Sequence, residues 1–266
     1  MPKVSIFIRT YKRDIAWLDF CLQSIERNLK GWDEIVVCAP EGQESHCRFV
    51  KNARVVTSPV FHEDYVGQQV AKLQAHRYVS GDYVLFVDSD VIFLPGADVR
   101  NFLDGNRPII GKWRYASMIA GGEAGAKWQA AVTRLFGEIP QWDYMRGHGA
   151  RLYHVETLRK FGLHFPDLQS YAHSINNRRQ FSEFNFLGFF AEKYEGEHYK
   201  FCDIEHESLP PQGSRQFWTV DGITPQTLAE LTALGLVQRW PSTLSHIDGL
   251  KAWLSQTTRR LKRWIK

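Results

Sequence analysis

The segment SGDYVLFVDSDVIFLPG, residues 80–96, carries the strongest structural signal in the sequence. Its apolar run YVLFV predicts a buried β-strand, because short apolar runs bounded by turn residues are typical of such strands. The run ends in two aspartates, Asp88 and Asp90, separated by one serine, before the apolar character resumes with VIFL. The sequence therefore predicts a buried strand that presents two carboxylates at its carboxyl end.

Strands and helices alternate on the amino-terminal side of this segment. Strands are predicted at VSIFIRT (4–10), DEIVVCAP (33–40) and ARVVTSP (53–59). Apolar residues at helical spacing predict a helix over 17–29, and GQQVAKLQAHRYVSG (67–81) predicts another. This alternation predicts an α/β fold with a wound, mainly parallel sheet and helices on both faces.

The carboxyl ends of the first strand and of the 82–88 strand should meet in one crevice. Ligands of such sheets bind beyond the carboxyl ends of the strands, so residues 10–13 and the two aspartates are expected to lie close together. Two carboxylates one residue apart can hold a hard divalent cation, which can bridge the phosphates of a nucleotide. The alternative is a structural turn in which Asp88 and Asp90 bond nearby amides.

Composition indicates a globular protein that can bury a full core. The chain has 266 residues, of which 44% are hydrophobic and 14% aromatic. Its four cysteines form no C-x-x-C pair, so reduced and mostly buried thiols are expected. No apolar run approaches the roughly 20 residues of a spanning helix, and charges interrupt the start too early for a secretory signal. We therefore expect a cytosolic protein.

Positive charge is concentrated at the carboxyl terminus. KAWLSQTTRRLKRWIK (251–266) carries six Lys or Arg and no acid, so removing those six from the net +4 leaves −2 on the preceding 250 residues. That body charge argues against a nucleic-acid-binding surface. Apolar residues recur at helical spacing in the tail at Leu250, Trp253, Leu254, Leu261, Trp264 and Ile265. The tail is predicted to be a basic amphipathic helix, which either binds an anionic membrane surface or packs on the body.

The first strand and the segment around Asp88 and Asp90 together resemble a known protein family. The opening strand running into TYKRD (10–14) and the block QQVAKLQAHRYVSGDYVLFVDSDVIF (68–93) resemble nucleotide-sugar-dependent glycosyltransferases of GT-A fold, of the bacterial polysaccharide or lipopolysaccharide type. The resemblance covers roughly residues 3 to 205. It implies a GT-A domain at 1–248, with a nucleotide-binding half (1–95) and an acceptor-binding half (96–248), followed by the helix at 249–266.

The resemblance also implies roles for residues near the crevice. Asp88 would touch the ribose or the metal, and Asp90 would hold Mn²⁺ or Mg²⁺ on the donor diphosphate. The nucleotide pocket would be lined by Thr10, Tyr11 and Arg13, with Lys72 near the nucleotide or its phosphates. The chemistry of these residues agrees, since Tyr11 offers a ring for stacking and Arg13 and Lys72 offer cationic donors. Alternatively, Arg13 pairs with Asp14 or a surface carboxylate, and Lys72 is a solvated helix residue.

Candidate residues of the second half lie in two segments. In MRGHGARLYHVETLRKFGLHFPD (145–167), two glycines flank His148 and would let the backbone approach a ligand, unless this is an ordinary turn with an exposed histidine. In QFSEFNFLGFFAEKY (180–194), a helix capped near Ser182 would carry Glu183 in its first turn. Glu183 is the candidate base for the acceptor hydroxyl, or it serves only the cap.

The resemblance also implies a third metal ligand nearer the carboxyl terminus. GT-A enzymes often supply a histidine there, and His246 in PSTLSHIDG (241–249) is the candidate. VQRWPS (237–242) lacks the Q-x-x-R-W spacing of processive polymerases, so transfer of a single sugar is expected.

The predicted function is a metal-dependent glycosyltransferase. It would use a nucleotide-sugar donor, most simply a UDP- or GDP-sugar, and a glycan or lipid-linked glycan acceptor of cell-surface polysaccharide synthesis. It would be cytoplasmic or peripheral on the inner membrane. The alternatives are a nucleotidyltransferase, against which the absence of glycine in RTYKRD (9–14) argues, and a non-catalytic binding module of the same fold.

Overall fold

A five-stranded sheet forms the centre of the computed structural model, which describes residues 2–122, 125–146, 149–175, 180–217 and 222–239. The described strands are β1 (Val4–Arg9), β2 (Glu34–Pro40), β3 (Arg54–Ser58), β4 (Tyr83–Asp88), β5 (Val91–Phe93), β6 (Leu103–Asp104), β7 (Arg107–Arg114), β8 (Trp142–Asp143), β9 (Ala150–His154), β10 (Lys200–Asp203) and β11 (Ser214–Gln216). The described α-helices are α1 (Ile15–Asn28), α2 (Asp64–Leu73), α3 (Tyr115–Ala120), α4 (Ala126–Phe136), α5 (Val155–His164), α6 (Leu168–His173), α7 (Glu183–Glu195) and α8 (Pro225–Ala233).

The central sheet has the order β3-β2-β1-β4-β9. Strands β1 to β4 run parallel to one another, whereas β9 runs antiparallel to β4. The predicted wound, mainly parallel sheet is therefore confirmed, and so are its first four strands to within one residue at each end. The helix predicted at 67–81 is different: α2 begins earlier, at Asp64, and ends at Leu73, before a 3-10 turn over Ala75–Arg77.

Each face of the sheet is covered by its own apolar cluster. Phe7, Val84 and Phe86 point to a cluster that includes apolar residues of α2, α5 and α7. Their neighbours along the same strands, such as Ile8 and Leu85, point to a cluster with α1. Successive residues of a strand face opposite sides, so an uninterrupted apolar strand such as β4 requires helices on both faces.

The shorter strands form two further sheets beside the central one. The order β10-β7-β6 forms one sheet, in which β10 is parallel to β7, and β8 pairs antiparallel with the end of β7. Separately, β11 pairs antiparallel with β5, directly beyond the two aspartates. These short strands hold the segments on either side of the crevice at the carboxyl edge of the central sheet.

Three further predictions concern the cysteines, membrane-spanning helices and the carboxyl-terminal part of the chain. All four cysteines are free and buried, as predicted. Among the described residues, no helix is long and apolar enough to cross a membrane. The amphipathic helix predicted at 249–266 lies outside those residues, and the division of the chain at 95 and 248 stays a prediction.

Candidate functional site

The two aspartates stand where β4 ends. Asp88 is the last residue of β4 and lies beside Arg9, the last residue of β1. Asp90 is 6% exposed and is held by β11, since the Phe217 amide donates to its carbonyl oxygen at 2.8 Å and Gln216 Nε2 donates to its Oδ1 at 3.2 Å. The strand end therefore places both carboxylates at the edge of the sheet, as the sequence predicts.

Lys72 joins the two halves of the candidate site. Its ammonium lies on the inner face of α2 and donates to Asp88 Oδ1 at 2.7 Å and to Glu183 Oε1 at 3.0 Å. The Lys72 side chain is only 2% exposed, so the solvated alternative is wrong. Burial alone would lower the pKa of Lys72, but the two carboxylates raise it above its usual range. Lys72 is therefore a fixed cation.

Glu183 is the first residue of α7 and is 3% exposed. Ser182 precedes it at the N-cap position, as predicted, but its hydroxyl makes no capping bond to the backbone. The carboxylate of Glu183 points to Lys72 and has one oxygen, Oε2, without a hydrogen-bond partner. Because Glu183 forms this ion pair across the fold, the interpretation that it serves only the helix cap is wrong. A buried carboxylate with one oxygen to spare can accept a proton or a ligand hydroxyl.

A buried polar network fixes the start of α7. Asn185 Nδ2 donates to Asp143 Oδ2 and to Ser182 Oγ, both at 3.0 Å. Asn185 Oδ1 accepts from the Tyr144 amide at 2.7 Å. Asp143 and Asn185 are both fully buried, so the segment around β8 and the first turn of α7 are held as one unit. This network positions Glu183, and no motif in the sequence signalled it.

The predicted nucleotide residues follow β1. Thr10 is buried, its amide donates to the Cys38 carbonyl at 2.9 Å, and its hydroxyl has no hydrogen-bond partner. Tyr11 is partly buried, and burial together with Asp14 raises its pKa to about 12. Arg13 is exposed at the rim. Since β1 lies beside β4, this loop and Asp88 stand at the same sheet edge, as predicted.

Asp14 is a member of the site that sequence reasoning missed. Burial raises its pKa to about 7, and the nearby carboxylates of Asp90, Asp88 and Asp64 add to the shift. Asp14 follows Arg13 in TYKRD, where it was considered only as a partner for that arginine. Asp64, at the start of α2, forms a 3.5 Å ion pair with buried Arg9. Three other carboxylates of this sheet edge thus act on the protonation of Asp14.

This negative charge fits a divalent cation. Aspartate oxygens are ligands that Mg²⁺ and Mn²⁺ prefer, and the carboxylates of Asp90, Asp88 and Asp64 all act on Asp14 at this sheet edge. Asp88 and Asp90 could hold the cation. Among the described residues, one group of three potential ligands has its ligand atoms within 4.8 Å of one another, namely Asp203, Glu205 and His206. His148 and His246, the remaining predicted site residues, lie outside the described residues.

Sequence comparisons find no match to this chain, whereas comparison with solved structures finds chains of similar fold. No protein family and no curated protein sequence matches the chain. The galactosyltransferase LgtC, solved with donor and acceptor sugar analogs, is similar with a TM-score of 0.50 and 11% identity, over 90% of this chain and 98% of that one. The apo form of the glycosyltransferase GlyE of Streptococcus pneumoniae TIGR4 has a TM-score of 0.49 and 12% identity, over 94% of this chain and 64% of its own.

The similarity to LgtC concerns the fold. At 11% identity over nearly the whole length of both chains, it shows that this chain has the GT-A fold. The resemblance drawn from residues 3 to 205 is confirmed at that level. The chemistry must be argued from the site itself, because one fold hosts many functions.

Proposed function

We propose that this protein is a metal-dependent glycosyltransferase, which transfers one sugar from a nucleotide-sugar to a glycan or lipid-linked glycan. The observation that carries the proposal is the buried ion-pair chain from Asp88 through Lys72 to Glu183. It connects the aspartates at the end of β4 with a carboxylate that has an oxygen to spare. A donor site next to a base on a GT-A fold is what this arrangement supports.

The donor would occupy the carboxyl edge of the sheet. Asp88 and Asp90 would hold Mn²⁺ or Mg²⁺, which when bound would neutralise charge on a departing nucleoside diphosphate. Tyr11 offers its ring to the base, the Thr10 hydroxyl is unpartnered, and exposed Arg13 can reach a phosphate. The Lys72 ammonium is bonded to two carboxylates, so its role is to hold Asp88 and Glu183 in place.

Glu183 would act on the acceptor. Its Oε2 takes the proton of the attacking sugar hydroxyl as the acceptor oxygen bonds to the anomeric carbon. The bond from that carbon to the phosphate oxygen breaks, and the electron pair leaves with the nucleoside diphosphate. A displacement of this kind inverts the anomeric carbon, and NMR of the product anomer distinguishes it from retention.

The proposal extends to the acceptor in the cell and to a membrane contact of the carboxyl-terminal tail. A cell-surface polysaccharide or lipopolysaccharide precursor would be the acceptor, and the basic tail at 249–266 would bind the anionic cytoplasmic face of the inner membrane. Flotation with anionic liposomes tests this. Deleting residues 250–266 should abolish flotation, and equal flotation of the truncated protein would refute the anchor.

The experiment for the function is a thermal-shift panel of UDP-, GDP-, CMP- and dTDP-sugars, each with and without Mn²⁺. Ligand binding to the native state raises its stability, so one nucleotide class should raise the Tm only with metal. Asp90→Asn should lose that response. A folded protein that responds to no donor would refute the proposal, and a response without any turnover would favour the binding module.

A further inference from the structure

Trp113, near the end of β7, is a tryptophan that lies outside the apolar clusters formed by the described residues. It is partly buried. Its Nε1 donates to Glu205 Oε1 at 2.5 Å, and the Arg146 guanidinium lies 5.5 Å from the centre of its ring. The two polar contacts of this indole are thus with charged side chains.

The carboxylate that holds the indole is itself fixed. The Glu205 amide donates to Asp203 Oδ1 at 3.2 Å, and Asp203 is the last residue of β10, in register with Lys112 on β7. The carboxyl ends of two neighbouring parallel strands therefore supply the ring and its anchor. An indole with its N–H held by a carboxylate has a set ring orientation, which lowers the entropy lost when a ligand stacks on it.

This indole stands next to the start of α7. In the β7–β8 ladder, Trp113 is paired with Asp143. Paired residues of antiparallel strands have Cα atoms about 5 Å apart. The Asp143 carboxylate accepts from Asn185, which is two residues beyond Glu183. One ladder pair and one hydrogen bond thus separate the Trp113 position from the first turn that carries the proposed base.

We propose that Trp113, Arg146 and Glu205 form a subsite for a sugar ring of the acceptor glycan, an inference that rests on the proposed function. A sugar ring has an apolar C–H face, which stacks on an indole, and a rim of hydroxyls, which bond to guanidinium and carboxylate groups. Arg146 and Glu205 supply both kinds of group beside the ring. Glu205 Oε1 is bonded to the Trp113 N–H, so its second oxygen is the one that would accept from a sugar hydroxyl.

A glycan array provides the test. Fluorescently labelled protein is applied to printed bacterial surface oligosaccharides, first in EDTA and then with UDP and Mn²⁺. Trp113→Ala should weaken binding to the preferred glycans by about tenfold or more, as expected for a lost stacking partner. Trp128→Ala is the matched control, because Trp128 is a second partly buried indole, located on α4, and it should leave binding unchanged.

Two further variants separate recognition from folding. Trp113→Phe keeps an aromatic ring and should retain most of the binding, whereas Glu205→Ala frees the indole and should weaken it. Far-UV circular dichroism and the Tm of each variant confirm folding. Absence of glycan binding by the unmodified protein in both conditions, or binding by Trp113→Ala within twofold of it, would overturn the inference.

The outcome is separable from that of the donor experiment. Trp113→Ala should keep the metal-dependent Tm shift with the donor nucleotide-sugar, because the side-chain contacts described for Trp113 are with Glu205 and Arg146 and not with Asp88 or Asp90. If donors are bound but the array shows no dependence on Trp113, the acceptor subsite is refuted and the proposed function stands. If no donor is bound while the array depends on Trp113, the proposed function fails and a glycan-binding site remains.

Discussion

The Lys72 ammonium lies 3.0 Å from Glu183 Oε1, although the two residues are 111 positions apart in the sequence. The same ammonium lies 2.7 Å from Asp88. One buried cation therefore serves two carboxylates, one from the end of β4 and one from the start of α7. The α2 helix thus fixes the distance between the proposed donor site and the proposed base, and this relationship gives the first two predictions.

Replacing Lys72 should destabilise the fold strongly. Lys72→Met keeps the length of the side chain but leaves buried Glu183 without its counter-charge. Removing one partner of a buried ion pair costs about 3–5 kcal/mol, so the urea midpoint should fall markedly. Lys193→Met is the control, because Lys193 pairs with Glu138 on the surface, and its midpoint should hardly change. Equal midpoints for the two variants would contradict the role assigned to Lys72.

Glu183→Gln should separate donor binding from transfer. Glutamine can still accept a hydrogen bond from Lys72, so the donor site should survive and the metal-dependent Tm shift should persist. A neutral amide cannot take the acceptor proton, so transfer should fall by about 10²–10⁴-fold. Nucleoside diphosphate release in the presence of acceptor measures this. Near-normal turnover would remove Glu183 from the mechanism.

The metal-free protein should lose stability as the pH rises through the acid range, because of Asp14. The pKa of Asp14 is raised from 3.8 to about 7 in the folded state, so the folded protein holds a proton that the unfolded chain releases. The contribution of Asp14 is therefore present below pH 4 and is lost as the pH rises from about 4 to 7. In EDTA, Asp14→Asn should raise the Tm at pH 8 and change it much less at pH 5. A Tm difference that is the same at both pH values would contradict this assignment.

The close approach of α7 to Tyr144 should make Gly188 intolerant of a side chain. A Cβ at Gly188 would overlap the ring of Tyr144, whose amide is bonded to Asn185. Gly188→Ala should therefore destabilise the protein by about 1–3 kcal/mol through overpacking. Gly196→Ala, at the end of the same helix, meets no atom within 4 Å and should be tolerated. Chemical denaturation of both variants provides the comparison, and equal stability would show that Tyr144 can move aside.

Much of the fold could be predicted because its signals are local. The apolar run before Asp88, the alternation of strands and helices, and Ser182 before the helix at Glu183 each lie within a few residues. By contrast, nothing local shows that β9 pairs antiparallel with β4, or that β11 pairs with β5. Register between distant strands depends on packing of the whole chain, which periodicity does not encode.

The sequence predicted several residues of the candidate site, but it did not predict the contacts between them. Asp88, Lys72 and Glu183 could be named from motifs, but their ion pairs join segments separated by 16 and 111 positions. Asp14 was missed because its raised pKa results from carboxylates that only the fold brings near it. Nothing in the sequence distinguishes Trp113 from the other tryptophans, since only the structure shows that its N–H is bonded to Glu205.

Binding of Mn²⁺ in the presence of UDP shows whether the end of β4 is a metal-dependent donor site, with the free ion measured by electron paramagnetic resonance. The unmodified protein is compared with Asp90→Asn and with Asp203→Asn, which alters the other group of potential ligands. We expect UDP-dependent Mn²⁺ binding to be lost in Asp90→Asn and kept in Asp203→Asn. Binding that persists in Asp90→Asn, or that disappears only in Asp203→Asn, would contradict a metal-dependent donor site at the end of β4.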